Sequence, residues 1–160
     1  MEGRILNRSV KLLLLSLGVL ATIATLAIGV SQPAEAGRIV TVKKKANVRK
    51  GAGVNHPIHF TAFQYYPLEV LEEKGKWLKV RDYEGDVGWV ARIVVSATPG
   101  IVVKTKKANV RTGPSTKVPI AFIAERGVAM KVLAKKEKWL QVEHADGEKG
   151  WIFNTLVWGN

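Results

Sequence analysis

Cysteine is absent from the 160 residues. That excludes disulfides, a cysteine nucleophile, thiolate metal sites and a lipid-modified N-terminal cysteine. Acidic side chains are few, 13 against 25 lysines and arginines, for a formal charge of +12. Helical periodicity is missing from residue 39 onward. No Ser-His-Asp order stands in a suitable context, and no acid pair marks a cleft. Gly51-Ala52-Gly53 lacks the helix that a phosphate-binding loop requires. These gaps argue against an enzyme.

A repeat is present instead. Lys44-Lys45-Ala46-Asn47-Val48-Arg49-Lys50-Gly51 returns as Lys106-Lys107-Ala108-Asn109-Val110-Arg111-Thr112-Gly113, an offset of 62. Trp77-Leu78 returns as Trp139-Leu140, and Gly85 with Gly88-Trp89 as Gly147 with Gly150-Trp151. Without a gap, 39–95 overlays 101–157, and about 24 of 57 pairs are identical. The chain is therefore a tandem duplication of a unit near the lower size limit for independent folding.

Residues 1–36 read as an export signal. Arg4, Arg8 and Lys11 precede the uncharged run 12–30. Pro33 then breaks it, and Ala34-Glu35-Ala36 offers a cleavage site before Gly37. The alternative is an uncleaved anchor, because 19 apolar residues nearly span a bilayer. Either way the repeats are expected outside the cytoplasm, in the periplasm, the envelope or the medium. The leader carries a net +1 (three basic and two acidic residues), so the remainder keeps +11. Such a surplus favours acidic partners through long-range attraction.

Each unit reads as five short strands separated by turns: a β-branched stretch running into Ala-Asn-Val-Arg, an extended piece after Pro57, a strand after Pro67, Trp77–Asp82 and Val87–Ala91. Short strands at this spacing suggest a small closed barrel. The expected domains are 37–96 and 101–160, with 97–100 as a linker that leaves the barrels side by side.

In order and twice over, Asn-Val-Arg-x-Gly, Trp-Leu-x-Val and Gly-x-x-Gly-Trp-[Val/Ile] resemble the bacterial SH3-like domain family. Ala108-Asn109-Val110-Arg111-Thr112-Gly113-Pro114-Ser115 carries the fuller opening motif. The resemblance implies an all-β fold of two tandem small SH3-like barrels behind a signal-peptide helix. It also implies an exported protein, non-catalytic and without a cofactor, of a kind often joined to cell-wall enzymes, some members of which bind peptidoglycan. Eukaryotic SH3 domains bind proline-rich peptides through an acidic loop and a proline near the last strand. Ala91 and Phe153 stand at that proline's place, so PxxP recognition is not expected.

Candidate binding residues follow from chemistry. Trp77, Trp89, Trp139 and Trp151 could stack on sugar rings, but in so small a unit the core is the favoured place for them. Arg49 and Arg111, beside Asn47 and Asn109, could hold a carboxylate; bracing of the adjoining loops is the favoured reading. Phe63, Tyr65 and Tyr66, with His59, form an aromatic patch unique to the first repeat and are the preferred binding surface. Lys44, Lys45, Lys106, Lys107, Lys135 and Lys136 are candidate contacts to an anionic partner. They also discourage edge-strand pairing. His56 and His59 have no counterparts in the second repeat, and no metal site is expected there.

The expected ligand is peptidoglycan, its stem peptides or another envelope component, with an envelope protein as the alternative. A nonspecific anionic-polymer role is weighed third, and nucleic acid is not expected in vivo. A membrane would be involved only if the leader stays uncleaved. A monomer is expected.

Overall fold

The computed structural model describes residues 37 and 39–159. The export-signal reading of residues 1–36 lies outside the described residues. Among the described residues there is no α-helix, and no helix is long and apolar enough to cross a membrane.

The first repeat contains β1 (Ile39–Val42), β2 (Lys45–Arg49), β3 (Ile58–Phe63), β4 (Pro67–Lys74), β5 (Trp77–Arg81), β6 (Val87–Ala91), a 3-10 turn (Arg92–Val94) and β7 (Val95–Ser96). The second repeats this as β8 (Gly100–Val103), β9 (Lys107–Arg111), β10 (Ile120–Glu125), β11 (Ala129–Lys136), β12 (Trp139–Glu143), β13 (Lys149–Phe153), a 3-10 turn (Asn154–Leu156) and β14 (Val157–Trp158). The sheet orders are the same, β3-β2-β6-β5-β4-β1-β7 and β10-β9-β13-β12-β11-β8-β14, and every pairing is antiparallel.

Each unit has seven strands rather than the five expected. The opening stretch divides at Lys43-Lys44 because its two halves pair with different strands. β1 joins β4 and β7, whereas β2 joins β3 and β6. A single straight strand cannot serve both sets, so the chain turns a corner there. The additional last strand is only two residues long.

The corner also corrects the gapless overlay. Val42 pairs with Val95, and Val103 pairs with Val157. The Lys43 amide donates to the Val94 carbonyl, and the Lys104 amide to the Leu156 carbonyl, both at 3.0 Å. Val42 therefore matches Val103, an offset of 61, while Ala46 matches Ala108. The second repeat carries one extra residue in its corner. Register in a strand is fixed by which side chains reach the core, and the two valines do so. Similarity of flanking letters cannot detect such a shift.

Strict alternation builds each core. Leu78, Val80 and Val90 point inward in the first barrel with Val48, Leu68 and Val70; Leu140, Val142 and Ile152 do so in the second with Val110 and Met130. Neither core cluster of buried residues contains a tryptophan. The core role favoured for Trp77, Trp89, Trp139 and Trp151 is thus corrected. Each tryptophan sits one residue from a core position in a period-two strand, which puts it on the outer face, half-buried.

The two repeats lie in one compact unit. β7 ends at Ser96 and β8 begins at Gly100. The Thr41 hydroxyl donates to the Thr98 carbonyl at 2.8 Å, and the Val132 amide donates to the Pro99 carbonyl at 2.9 Å. A Cβ on Gly100 would lie 2.5 Å from the Tyr65 carbonyl oxygen, and one on Gly159 would lie 2.6 Å from the Pro67 ring. Arg126 of the second barrel sits 6.0 Å from the Tyr83 ring centroid and 3.5 Å from the Glu84 carboxylate of the first. Val102, on the face of β8 opposite its core residues, is fully buried because β4 of the first barrel lies against that strand.

Gly88 and Gly150 each occupy a close strand approach within their barrel. A Cβ there would fall 2.5 Å and 2.6 Å from the Val48 and Val110 side chains, and 2.9 Å and 2.8 Å from the Arg49 and Arg111 carbonyl oxygens. Gly150→Ala should therefore lower stability to urea by about 1–3 kcal/mol. Gly113→Ala should stay near neutral, since its added methyl meets nothing closer than 3.7 Å. Equal effects of the two substitutions in urea titrations would contradict the close-packing account.

Candidate functional site

The outward row of residues in the second barrel forms a groove of about 400 Å³ lined by Lys107, Asn109, Arg111, Thr116, Trp139 and Phe153, among others. β9 places Lys107, Asn109 and Arg111 on its outer side because Ala108 and Val110 take the inner one. Trp139 is directly opposite Phe153 across the β12–β13 ladder. Their rings meet edge to face, with centroids 5.2 Å apart and planes at 74°, an arrangement that aromatic quadrupoles favour. Trp151 is the cross-strand neighbour of Arg111.

Both arginines brace their loops. Arg49 Nη1 donates to the His56 carbonyl at 2.7 Å, and Arg111 Nη1 donates to the Val118 carbonyl at 2.8 Å. A guanidinium has five N–H donors, so the brace leaves capacity for a ligand. Asn47 lies mid-strand, and its Oδ1 accepts from the Thr61 hydroxyl at 3.2 Å.

The corresponding groove on the first barrel differs in kind. It encloses about 670 Å³ between Val54, Gly75, Lys76, Trp77, Ala91, Arg92 and Ile93. Val54, Ala91 and Ile93 stand where the second repeat has Thr116, Phe153 and Thr155. Val54 is 71% exposed and Ile93 79%. Arg92 is paired with Glu73. Each groove thus carries one lysine and one arginine; the second-barrel groove adds an aromatic pair, and the first-barrel groove has exposed aliphatic side chains around a single tryptophan.

The aromatic patch expected in the first repeat is only partly assembled. Phe63 and Tyr66 line one groove, of about 510 Å³, where the first barrel meets Gly127, Val128, Ala129, His144 and Ala145 of the second. Lys44, Thr61 and Gln64 share it. Tyr65 is half-buried at the turn with φ of 65°, and it is not among these lining residues. His59 is elsewhere, 3.7 Å from Asp86 and edge-on to Phe60. Of the remaining candidates, Trp77 belongs to the first-barrel groove, and Trp89 lies between Arg49 and Lys79 across the sheet. Lys45, Lys106, Lys135 and Lys136 are exposed. Lys107 lies 3.9 Å from Glu125, a solvent-exposed pair.

Asp82 was not singled out by sequence reasoning, yet it is a buried anchor. Its Oδ1 accepts from the Glu84 and Asp86 amides at 2.9 Å, and its Oδ2 accepts from the Tyr66 hydroxyl at 3.1 Å. In the second repeat Val128 and His144 take the places of Tyr66 and Asp82. His144 Nδ1 lies 2.8 Å from Asp146 Oδ2. The Glu148 amide, and then His144, hold the Asp146 carboxyl below the usual carboxylate range. His144, Asp146 and Glu148 offer one ligand atom each within 4.8 Å of one another, and they are the described residues best placed to hold a metal. The His-x-Asp-x-Glu spacing around a turn was the available signal for them.

Desolvation, then the charge of Asp82, pushes the Tyr66 phenol well above its ordinary value of 10.0. The folded state therefore retains the proton that the unfolded chain releases. This contribution is complete below pH about 10 and is lost as pH rises beyond it. Tyr66→Phe should cost about 1 kcal/mol at pH 7 through the lost hydrogen bond. The gap to the native protein should shrink between pH about 9 and about 11. Urea titrations across that range check this, and a pH-independent gap would contradict it.

A model of the bacterial SH3 domain matches the chain twice, at residues 42–97 and 104–159. Among curated proteins, the chain is 39% identical over 54 residues to "Probable cell wall amidase LytH" of Staphylococcus epidermidis, covering 33% of this chain and 19% of that one. The protein of that name in Staphylococcus aureus is 38% identical over 58 residues, covering 36% and 20%. The chain thus spans about a fifth of the length of these relatives. Among solved structures, NlpC2 from Trichomonas vaginalis aligns over 79% of this chain and 49% of its own, at 13% identity and a TM-score of 0.36. An NlpC/P60 family protein from Bacillus cereus aligns over 75% and 55%, at 14% identity and a TM-score of 0.36.

Proposed function

Because the chain belongs to the bacterial SH3 domain family, we propose that it is a non-enzymatic, exported binding protein whose ligand is peptidoglycan or its stem peptides. The observation that carries this reading is the second-barrel groove, where the Trp139–Phe153 pair lies beside Lys107 and Arg111. A wall unit combines sugar rings with peptide carboxylates. An aromatic pair suits the first, and a guanidinium with spare donors suits the second. The groove offers surfaces for stacking and for pairing charge, which is binding chemistry. The curated relatives are named as cell wall amidases, and the matched segment is a small part of each.

The leader supports export, and the surplus of basic residues supports an acidic partner. An envelope protein as ligand is the second reading. Val54 and Ile93, exposed around Trp77, favour it because they offer an apolar surface with little provision for a sugar.

Co-sedimentation with purified peptidoglycan at low and high salt tests the proposal. At 1 M salt the screening length falls to about 3 Å, so contacts made by exposed lysines alone should vanish. Pelleting should survive high salt, and Trp139→Ala should weaken it by roughly fivefold to tenfold, with the melting curve confirming that the variant folds. Pelleting confined to low salt would reduce the interaction to the lysines. No pelleting at either salt would favour the protein partner.

A further inference from the structure

The first repeat departs from the second at Phe63, Gln64 and Tyr66, which stand where the second has Glu125, Arg126 and Val128. All three line the groove between the barrels, with Lys44 and Thr61 on the same side and His144 opposite. The groove requires both barrels in their docked arrangement, and its five second-barrel residues include Gly127, Val128 and Ala129 at the foot of β11. We infer that this junction is a second ligand site, for a carboxylate-bearing sugar unit. The inference deepens the wall-binding reading and rests on it.

Phe63 is the platform. It is 62% exposed, which is unusual for a phenylalanine beside a groove of about 510 Å³, a size within the range of small-molecule sites. A sugar ring presents C–H groups that pack on an aromatic face, and hydroxyl and acetamido groups that need polar partners. Gln64 supplies an amide. Thr61 supplies a hydroxyl oxygen whose proton is already committed to Asn47, so it is free to accept. His144 has its Nδ1 tied to Asp146, which leaves Nε2 as the nitrogen available to a ligand. Lys44 is exposed and has no carboxylate within 4.0 Å among the described residues. It is the cation for a ligand carboxylate. Tyr66 is fixed against the first-barrel core by its bond to Asp82, so the wall of the site is rigid before anything binds.

The inference is tested by calorimetric titration of the purified full chain with a soluble disaccharide–tetrapeptide released from peptidoglycan. Phe63→Ala should weaken binding about tenfold, and Phe63→Trp should restore it. Lys44→Gln should weaken it about threefold while leaving the weaker binding of a neutral N-acetylglucosamine tetramer unchanged. Phe63 is solvent-exposed, so its replacement should leave the melting curve in place. Tetragalacturonate binding with the same sensitivity to Phe63 and Lys44 would keep the site and move its source from wall units to acidic polysaccharide. Unchanged affinity in Phe63→Ala would overturn the junction site, as would equal affinity of the neutral tetramer and the muropeptide. If whole peptidoglycan still pellets with the native protein in that case, the wall-binding reading stands and only the junction site falls. If it does not pellet, both fall.

Discussion

Each barrel closes at one cross-strand pair, Arg49 with Trp89 and Arg111 with Trp151. The strands can approach there only because Gly88 and Gly150 leave room for a valine methyl and a backbone carbonyl. Much of the outer face follows from that contact. Closure fixes the arginine beside the tryptophan, and the arginine then holds the loop that follows β2 or β9 through a carbonyl of that loop. The preceding turn depends on the companion glycines, Gly85 and Gly147, whose φ values of 95° and 98° suit no other residue well. The Gly-x-x-Gly-Trp signature is therefore one mechanical device: a left-handed turn, a side-chain-free crossing and an outward aromatic.

Duplication has left the cores similar and the grooves different. Core positions are constrained by packing to small changes of volume, as in Leu68 against Met130. Groove positions carry no such constraint. Exchanges such as Val54 for Thr116, Ala91 for Phe153 and Ile93 for Thr155 give the copies different surfaces on one scaffold. Tyr66–Asp82 against Val128–His144 shows the same drift at a buried hydrogen bond.

The repeat, the family and the all-β class were legible because they rest on residues whose role is local: glycines in turns, alternating valines and leucines, paired motifs. The outward tryptophans were legible in principle. Trp77 alternates with Leu78 just as Lys79 alternates with Val80, so periodicity placed it outside, while the preference of large aromatics for interiors argued the reverse. Bracing by Arg49 and Arg111 followed from their position beside glycine-containing loops. The one-residue offset in the first strand was not legible, because the gapless register matched Ile39 with Ile101 and Val40 with Val102, whereas the observed one sets Ile39 against Gly100. The junction could not be read at all. It depends on Gly100 against Tyr65, Gly159 against Pro67 and Arg126 against Tyr83, pairs far apart in the chain and without a motif.

Docking through so short a connection has a geometric consequence for any ligand that is itself a polymer. Two grooves on freely hinged domains would adapt to whatever spacing a strand offered. Grooves on a locked pair do not, and the second contact becomes an intramolecular event only when the spacing of the polymer fits. For such a ligand, a docked pair would act as a gauge: a strand whose spacing matches both grooves would gain from two contacts, and a wrongly spaced one from a single barrel.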